Sequence, residues 1–533
     1  MDNISSTIQS INSYFTNLYW WEFLMFFLIF LACVAFHDVF INKKHTIKHN
    51  YPVVGHLRYL LEKIGPELRQ YIVANNREEL PFTRSQRSWV YASSKRENNL
   101  SGFGTDQDIY RAGHVFINPS LFPYVPVKDH ITKKDPYFVP CAKVIGLYNN
   151  RKKPFRPYSI ANISGMSYGS LSAKAVESLN KGAKKVGCYQ NTGEGGLSPY
   201  HQNGADIIFH FGTGYFGVRD DNGHFSMSKL VDLVNTNPFI RAIDVKLSQG
   251  AKPGKGGMLP GKKITQEIAD IRHVPMGKDV FSPPSHSVFT NVYEMLDFFE
   301  DIAHKTGLPV GFKAAVGKLD DWIVLADEMA KRGTGPDFIT IDGGEGGTGA
   351  APPAFADSVS LPFIFGFSAV YKIFAERGLT DRIVFMASGK LGFPASALMA
   401  MSMGADVINV AREAMMSIGC IQAQVCHTNK CPSGVATSNQ WLQNGIDPTL
   451  KSERLYNYIK TLRKEMLEIT HACGYEHPSQ MTMIDVDVSM GDNNLTKKLS
   501  DIYGYQKVPV AFNGMQSLLD CQYLGGLGNK LIS

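Results

Sequence analysis

The feature that most constrains the fold is a pattern recurring between about residue 155 and residue 412. Eight short apolar runs, each ending in small or polar residues, occupy 163–167, 188–192, 206–212, 242–248, 310–316, 338–344, 383–389 and 407–412. Helix-spaced segments separate many of them: 172–186, 292–305, 320–331, 369–377 and 394–403. Eight strands alternating with helices predict an α/β fold in which a parallel sheet closes as a (β/α)8 barrel. An open doubly wound sheet would need a Gly-rich phosphate turn after its first strand and an acid about 20 positions later, and no such pair is present. In a barrel, reactive groups sit at the C-terminal strand ends. That directs attention to Ser167, Glu194, Lys246, Gln249, Lys313, Asp342 and Ser388.

Length and charge narrow the class further. The chain has 533 residues, 44% hydrophobic and 19% charged, enough for one large barrel with appendages. A net charge of +6 without a long Lys/Arg block argues against nucleic acid as a partner. Five of the eight cysteines stand alone, too sparse for a disulfide framework, which points to a reducing compartment.

The N-terminal part has a different character. Residues 23–36 carry no Asp, Glu, Lys or Arg, and apolar side chains continue to Ile41. As a helix, 19–41 would be roughly 35 Å long, enough to cross a bilayer. Trp20 and Trp21 suit one interface; Lys43, Lys44 and Lys48 follow the other end, with no Lys or Arg before the segment. The expectation is a single-pass anchor in membrane lipid with the barrel in the cytoplasm. A signal peptide would need a basic start and a small-residue cleavage site. The expected organisation is an anchor at 1–42, a flanking region at 43–154, the barrel at 155–440 and a helical and irregular region at 441–533. Within the flank, 57–73 has helical spacing interrupted at Gly65-Pro66; beyond the barrel, 447–472 reads as a helix. A Gly- and Pro-rich insertion at 250–290 lies at the expected active-site rim, where long loops are usually functional.

The cysteines that do cluster are Cys420, Cys426 and Cys431, the last followed by Pro432. Three thiols in so short a loop suit iron–sulfur ligation; a zinc site with His427 and inert thiols are the other readings. The spacing, followed by Gly434-Val-Ala-Thr437, closely resembles the three-iron site of glutamate synthases. So do Met166-Ser-Tyr-Gly-Ser-Leu-Ser172, Asn191-Thr-Gly-Glu-Gly-Gly196, Gln249-Gly-Ala-Lys-Pro-Gly254, Leu259-Pro-Gly261 and Gly346-Gly-Thr-Gly-Ala350, in order across about 155–440.

The resemblance implies an FMN-binding barrel carrying a [3Fe-4S] cluster on the three cysteines. It would reduce 2-iminoglutarate, formed from 2-oxoglutarate and ammonia, to L-glutamate. Met166, Ser167 and Gly169 would lie against the flavin, with Lys313 near its N1/O2 edge. Gly343, Gly344, Gly347 and Gly349, with Ser388 and Gly389 on the next strand, would cradle the phosphate. Glu194 and Lys246 are the expected catalytic pair. Glu194 would hydrogen-bond the imine nitrogen or move a proton. Gln249, Lys252 and Arg272 would bind the dicarboxylate.

Two departures stand in the substrate loop: Met258 where the family usually has Gln, and Lys255 where it often has Glu. They keep open a related flavin oxidoreductase acting on another amino or 2-oxo acid; a degenerate barrel serving as a membrane scaffold is a third reading. Position 2 is Asp2 and no terminal nucleophilic cysteine is present, so free ammonia rather than glutamine is the expected nitrogen source. No nicotinamide fingerprint is evident, so electrons are expected from a partner such as ferredoxin or a reductase subunit.

Overall fold

A computed structural model describes residues 19–42, 46–126, 137–491 and 495–510. Lys43, Lys44, Asp2 and the chain after residue 510 lie outside the described residues. The chain divides into two compact units, Met1–Arg84 and Ser85–Ser533.

In the first unit, the apolar segment forms an α-helix, Trp20–Phe36, that continues as a wider turn, His37–Ile41. Together these make a helix of 22 residues, long and apolar enough to cross a membrane. After a short helix, Thr46–Asn50, a second long helix spans Gly55–Leu68 and widens over Arg69–Val73. Gly65-Pro66 does not interrupt it. Pro66 lies inside the helix, where its missing N–H removes one ladder bond, and the wider turn follows three residues on.

In the second unit, eight parallel strands close into a barrel: β1 (Ala161–Ile163), β2 (Gln190–Asn191), β3 (Ile207–Phe211), β4 (Ile240–Lys246), β5 (Val310–Ala314), β6 (Phe338–Asp342), β7 (Val384–Ser388) and β8 (Val407–Val410). Neighbours in space are neighbours in order, and β8 pairs back onto β1 through Val410 and Ile163. This is the α/β barrel expected from the sequence. The strand β1 is shorter and earlier than its apolar run: it stops at Ile163, so Met166, Ser167 and Gly169 belong to the loop beyond it. Helix Phe363–Ala375 starts six residues before its expected beginning, because Phe363 and Phe367 are buried with its core-facing side.

The barrel interior is filled by size. At the N-terminal end, Tyr189, Ile208, Ala242, Phe338, Val384 and Val407 pack with Cys141, Ile145 and Phe155 from the chain before the barrel. Full burial of such side chains stabilises by about 1.5–3 kcal/mol each. Helix Pro448–Ala472 lies along helix Ala173–Val186, burying Leu455, Ile459, Leu462 and Met466. With that end plugged, the opposite mouth, where the polar strand ends converge, is the one open to chemistry.

Candidate active site

The mouth is organised around the last residue of β4. Lys246 Nζ lies 2.9 Å from Glu194 Oε2 and donates to Gln249 Oε1 at 2.6 Å. Lys252, buried, donates from Nζ to Gly256 O at 2.9 Å. These four side chains, with Lys255, line one cleft. Burial alone would raise the Glu194 carboxyl; the charge and hydrogen bond of Lys246, helped by Lys252 and His210, bring it down to about 2. Burial lowers the Lys252 ammonium to about 8 against the pull of Glu194. The cleft therefore holds a carboxylate that stays ionised and an excess of cationic groups, the balance a dianion requires.

Glycines make room for this carboxylate. A Cβ at Gly212 would sit 2.7 Å from Glu194 Oε2, and one at Gly257 3.2 Å from Oε1. Beneath Glu194, inside the barrel, Asp244 accepts from His210 Nδ1 at 2.6 Å and Asn191 Nδ2 at 2.8 Å through the same oxygen. Sequence reasoning missed His210 and Asp244. They sit within β3 and β4 rather than at strand ends, and inside an ordinary strand such residues are indistinguishable from satisfied core polar groups.

Arg272 is placed apart from Gln249 and Lys252. It does not line the cleft. It donates from Nη2 to Tyr168 O at 2.8 Å and Ser167 Oγ at 3.4 Å, and stacks over Phe216. Its Nε has no partner, and burial lowers it to about 10. Among the described residues no carboxylate lies within ion-pair distance of it. The structure brings Arg272 together with the loop of Met166, Ser167 and Gly169. That loop in turn meets the turn carrying Glu194: a Cβ at Gly193 would fall 2.6 Å from Ser167 N.

The phosphate-site expectation is redistributed. Gly343 and Gly344 commit their N–H groups to Ser388 O (2.8 Å) and Leu361 O (2.9 Å). Glu345 folds back so that its Oε2 lies 3.3 Å from where a Gly389 Cβ would be. Gly347 instead faces Arg412, whose Nη1 is 3.2 Å from its Cβ position, and Gly349 packs against Cys426. Burial lowers both Lys390 and Arg412, and the charge of Arg412 lowers Lys390 further. These two cations follow β7 and β8. The strand-end rule reaches Arg412, the last residue of the eighth run, yet no motif marked it. Lys313 pairs with Asp342 at 3.3 Å, and Asp342 also accepts from Gly250 N, so Lys313 is held at the mouth.

The cysteine loop bends through left-handed Gln422, Gln424 and Asn429, which turns Cys420, Cys426 and Cys431 towards one another closely enough that their charges interact. Burial pushes the Cys420 thiol up to about 12. Among the described residues no three His, Cys, Asp or Glu side chains are placed to hold a single metal ion. Lys263, another residue not foreseen, lies buried beside this loop and donates to Ala436 O at 3.0 Å and Ser170 O at 3.3 Å. It is near enough to Cys426 and Cys431 for their charges to act on it.

Residues 139–476 match the conserved region in glutamate synthase. The chain is 40% identical over 486 residues to the glutamate synthase large subunit-like protein YerD of Bacillus subtilis, covering 85% of this chain and 92% of that one. It is 34% identical over 313 residues to the archaeal glutamate synthase [NADPH] of Methanocaldococcus jannaschii, covering 58% of each. It is 31% identical over 354 residues to the ferredoxin-dependent glutamate synthase of Pyropia yezoensis, covering 63% of this chain and 22% of that one. The chain belongs to the glutamate synthase family and is an oxidoreductase of that type.

Proposed function

We propose that this chain binds FMN at the barrel mouth and a [3Fe-4S] cluster on Cys420, Cys426 and Cys431, and reduces 2-iminoglutarate to L-glutamate. The imine forms from 2-oxoglutarate and ammonia, and electrons arrive from a partner such as ferredoxin or a reductase subunit. The single observation that carries this reading is the cleft in which Glu194, Lys246, Gln249 and Lys252 converge.

The residues present fit both groups. For FMN, the half-buried cations Lys390 and Arg412 stand beside Gly389 and Gly347, where a phosphate would meet them; Glu345, whose backbone O now accepts from Arg412, would have to swing its carboxylate away from Gly389. For the cluster, three thiols of one loop, two of them beside the buried Lys263, suit a cofactor wider than one ion. When bound, FMN supplies a hydride to the imine carbon, and the cluster supplies electrons singly.

The protein's own groups do the rest. Lys252 and Lys255 hold the substrate carboxylates from one side of the cleft. Glu194, ionised at neutral pH, accepts an N–H of the incoming nitrogen; it does not act as the resting acid. Lys246 keeps Glu194 ionised and oriented, and Gln249 keeps Lys246 in place. Arg272 braces the Met166–Gly169 loop from behind. Through residues 20–41 the enzyme would be anchored in a membrane with its barrel on the cytoplasmic side.

The test is anaerobic. The flavin is reduced chemically, then 2-oxoglutarate is added with ammonium or with glutamine. Flavin reoxidation and glutamate formation should require ammonium. Equal activity with purified glutamine would reveal an amidotransferase site. No turnover with either, while FMN is retained, would favour another oxo acid, for which Lys255 in the cleft and the exposed Met258 are the residues to examine.

A further inference from the structure

The first unit carries an apolar surface that the enzymatic reading does not use. In helix Gly55–Leu68, Leu57, Leu60, Leu61, Ile64 and Leu68 recur at the spacing of one helical face. All are exposed, Leu57, Leu60 and Leu61 by more than half. Tyr71, Ile72 and Val73 extend the apolar surface through the next turn and are also exposed. The other face is charged, with Arg58 and Glu62 paired at 2.9 Å and Lys63 and Glu67 beside them. Scattered exposed leucines need no explanation, but a continuous stripe does.

The position of this helix says what covers the stripe. Its beginning is tied to the end of the long apolar helix by a built corner. Asp38, fully buried in the last turn of Trp20–Ile41, accepts from Val53 N at 3.2 Å and from His56 Nε2 at 2.8 Å. Val53 is held at a φ of +67°, a conformation a β-branched residue adopts only under constraint. Gly55 passes so close that a Cβ would touch Ile47 O at 3.0 Å. The first turn of the second helix is thereby fixed beside the end of the first. If the first helix spans a bilayer, that end lies at the lipid–water boundary.

We infer that helix Gly55–Leu68 lies along the membrane surface, with Leu57, Leu60, Leu61, Ile64 and Leu68 in the acyl region of the leaflet at which the anchor ends. A helix standing upright from the boundary would leave much of its stripe in water; only one lying in the interface buries all of it. Lys48, whose Nζ sits over the Tyr59 ring at 5.0 Å, adds a cation at headgroup depth. The occupant is lipid, and the inference rests on the reading of Trp20–Ile41 as a membrane anchor.

The experiment uses the full chain in nanodiscs of phosphatidylcholine and phosphatidylserine containing a diazirine-bearing acyl chain. After irradiation, adducts are mapped by peptide mass spectrometry. The expected result is labelling of the anchor peptide and, in the second helix, of positions 57, 60, 61, 64 and 68 but not 58, 62, 63 and 67. A Leu60→Lys/Ile64→Lys variant should lose at least tenfold of the helix adducts while anchor adducts are unchanged. Anchor adducts with an unlabelled helix would overturn the inference and leave the anchor standing, meaning that protein, a second copy included, covers the stripe. Adducts at neither would remove the anchor reading as well. Labelling without the helical period would also overturn it.

Discussion

Lys246 and Glu194 are joined by an ion pair of 2.9 Å that ties the last residue of one barrel strand to the turn following another. Neither side chain is more than a quarter exposed, and it is the charge and hydrogen bond of Lys246 that hold the Glu194 carboxyl down. Replacing Lys246 with Met leaves a carboxylate without its principal partner, a change that costs about 3 kcal/mol for a largely buried pair. The Glu194 carboxyl should then titrate well above about 2. Turnover should fall at least about 100-fold, while urea denaturation reports the stability loss. Unchanged turnover in Lys246→Met would remove the pair from the chemistry.

Lys252 makes the pH dependence specific. Burial lowers its ammonium from 10.5 to about 8. The fold therefore bears the cost of the charged form below about pH 8 and is relieved as pH rises from there towards 10.5. Binding of a dianion has the opposite sign: it needs the charge. The KM for 2-oxoglutarate should rise as pH increases through about 8, and Lys252→Arg should move that rise to higher pH. A KM flat across this range in the wild type would take Lys252 out of the carboxylate site.

Gly250 should tolerate no side chain. Its Cβ position lies 1.8 Å from Gly343 O, a backbone atom that cannot turn aside. Gly250→Ala should cost at least about 1–3 kcal/mol by overpacking and should separate the β4 insertion from the end of β6, weakening FMN retention. Thermal unfolding and flavin content measure the two effects. Gly254→Ala is the control, because nothing lies within 4 Å of its Cβ position, although its φ is +67°.

The purified protein should contain FMN and a three-iron cluster. Cys426→Ser should lose the iron while FMN remains. Lys263→Met should keep the iron but lower the reduction potential of the cluster, because it removes a buried positive charge beside Cys426 and Cys431. Potentiometric titration followed by electron paramagnetic resonance reads this directly. Zinc without iron in the wild type would eliminate the cluster.

Much of the site was legible because strand-end chemistry is local. Glu194, Lys246 and Gln249 lie within a few residues of strands β2 and β4, and the barrel rule placed them at one mouth; Lys252 was reached through the family resemblance of the insertion that follows β4. Gly349 was grouped with the phosphate glycines as part of one Gly-rich turn that resembles the family's; in the fold it packs on Cys426. Arg272 was grouped with Gln249 and Lys252 by the family positions all three match in and beside one insertion; in the fold it donates to Ser167 and Tyr168 and does not line the cleft. His210, Asp244, Lys390 and Lys263 gave no signal, since a single polar residue in or beside a strand acquires meaning only from what faces it.

The sequence alone determined the alternation of strand and helix, the apolar length of Trp20–Ile41, and the three thiols of one loop. Each follows from periodicity or spacing within a short stretch, where the chain itself fixes the geometry. Only the tertiary structure decided that the sheet closes, that Arg272 lies apart from the cleft, and that Lys390 joins Arg412 and Lys263 the cysteines. Those relations join residues far apart in the chain. They exist because closing eight strands into a ring brings their ends within a few ångströms, so that charge, burial and hydrogen bonding act between groups that no local pattern connects.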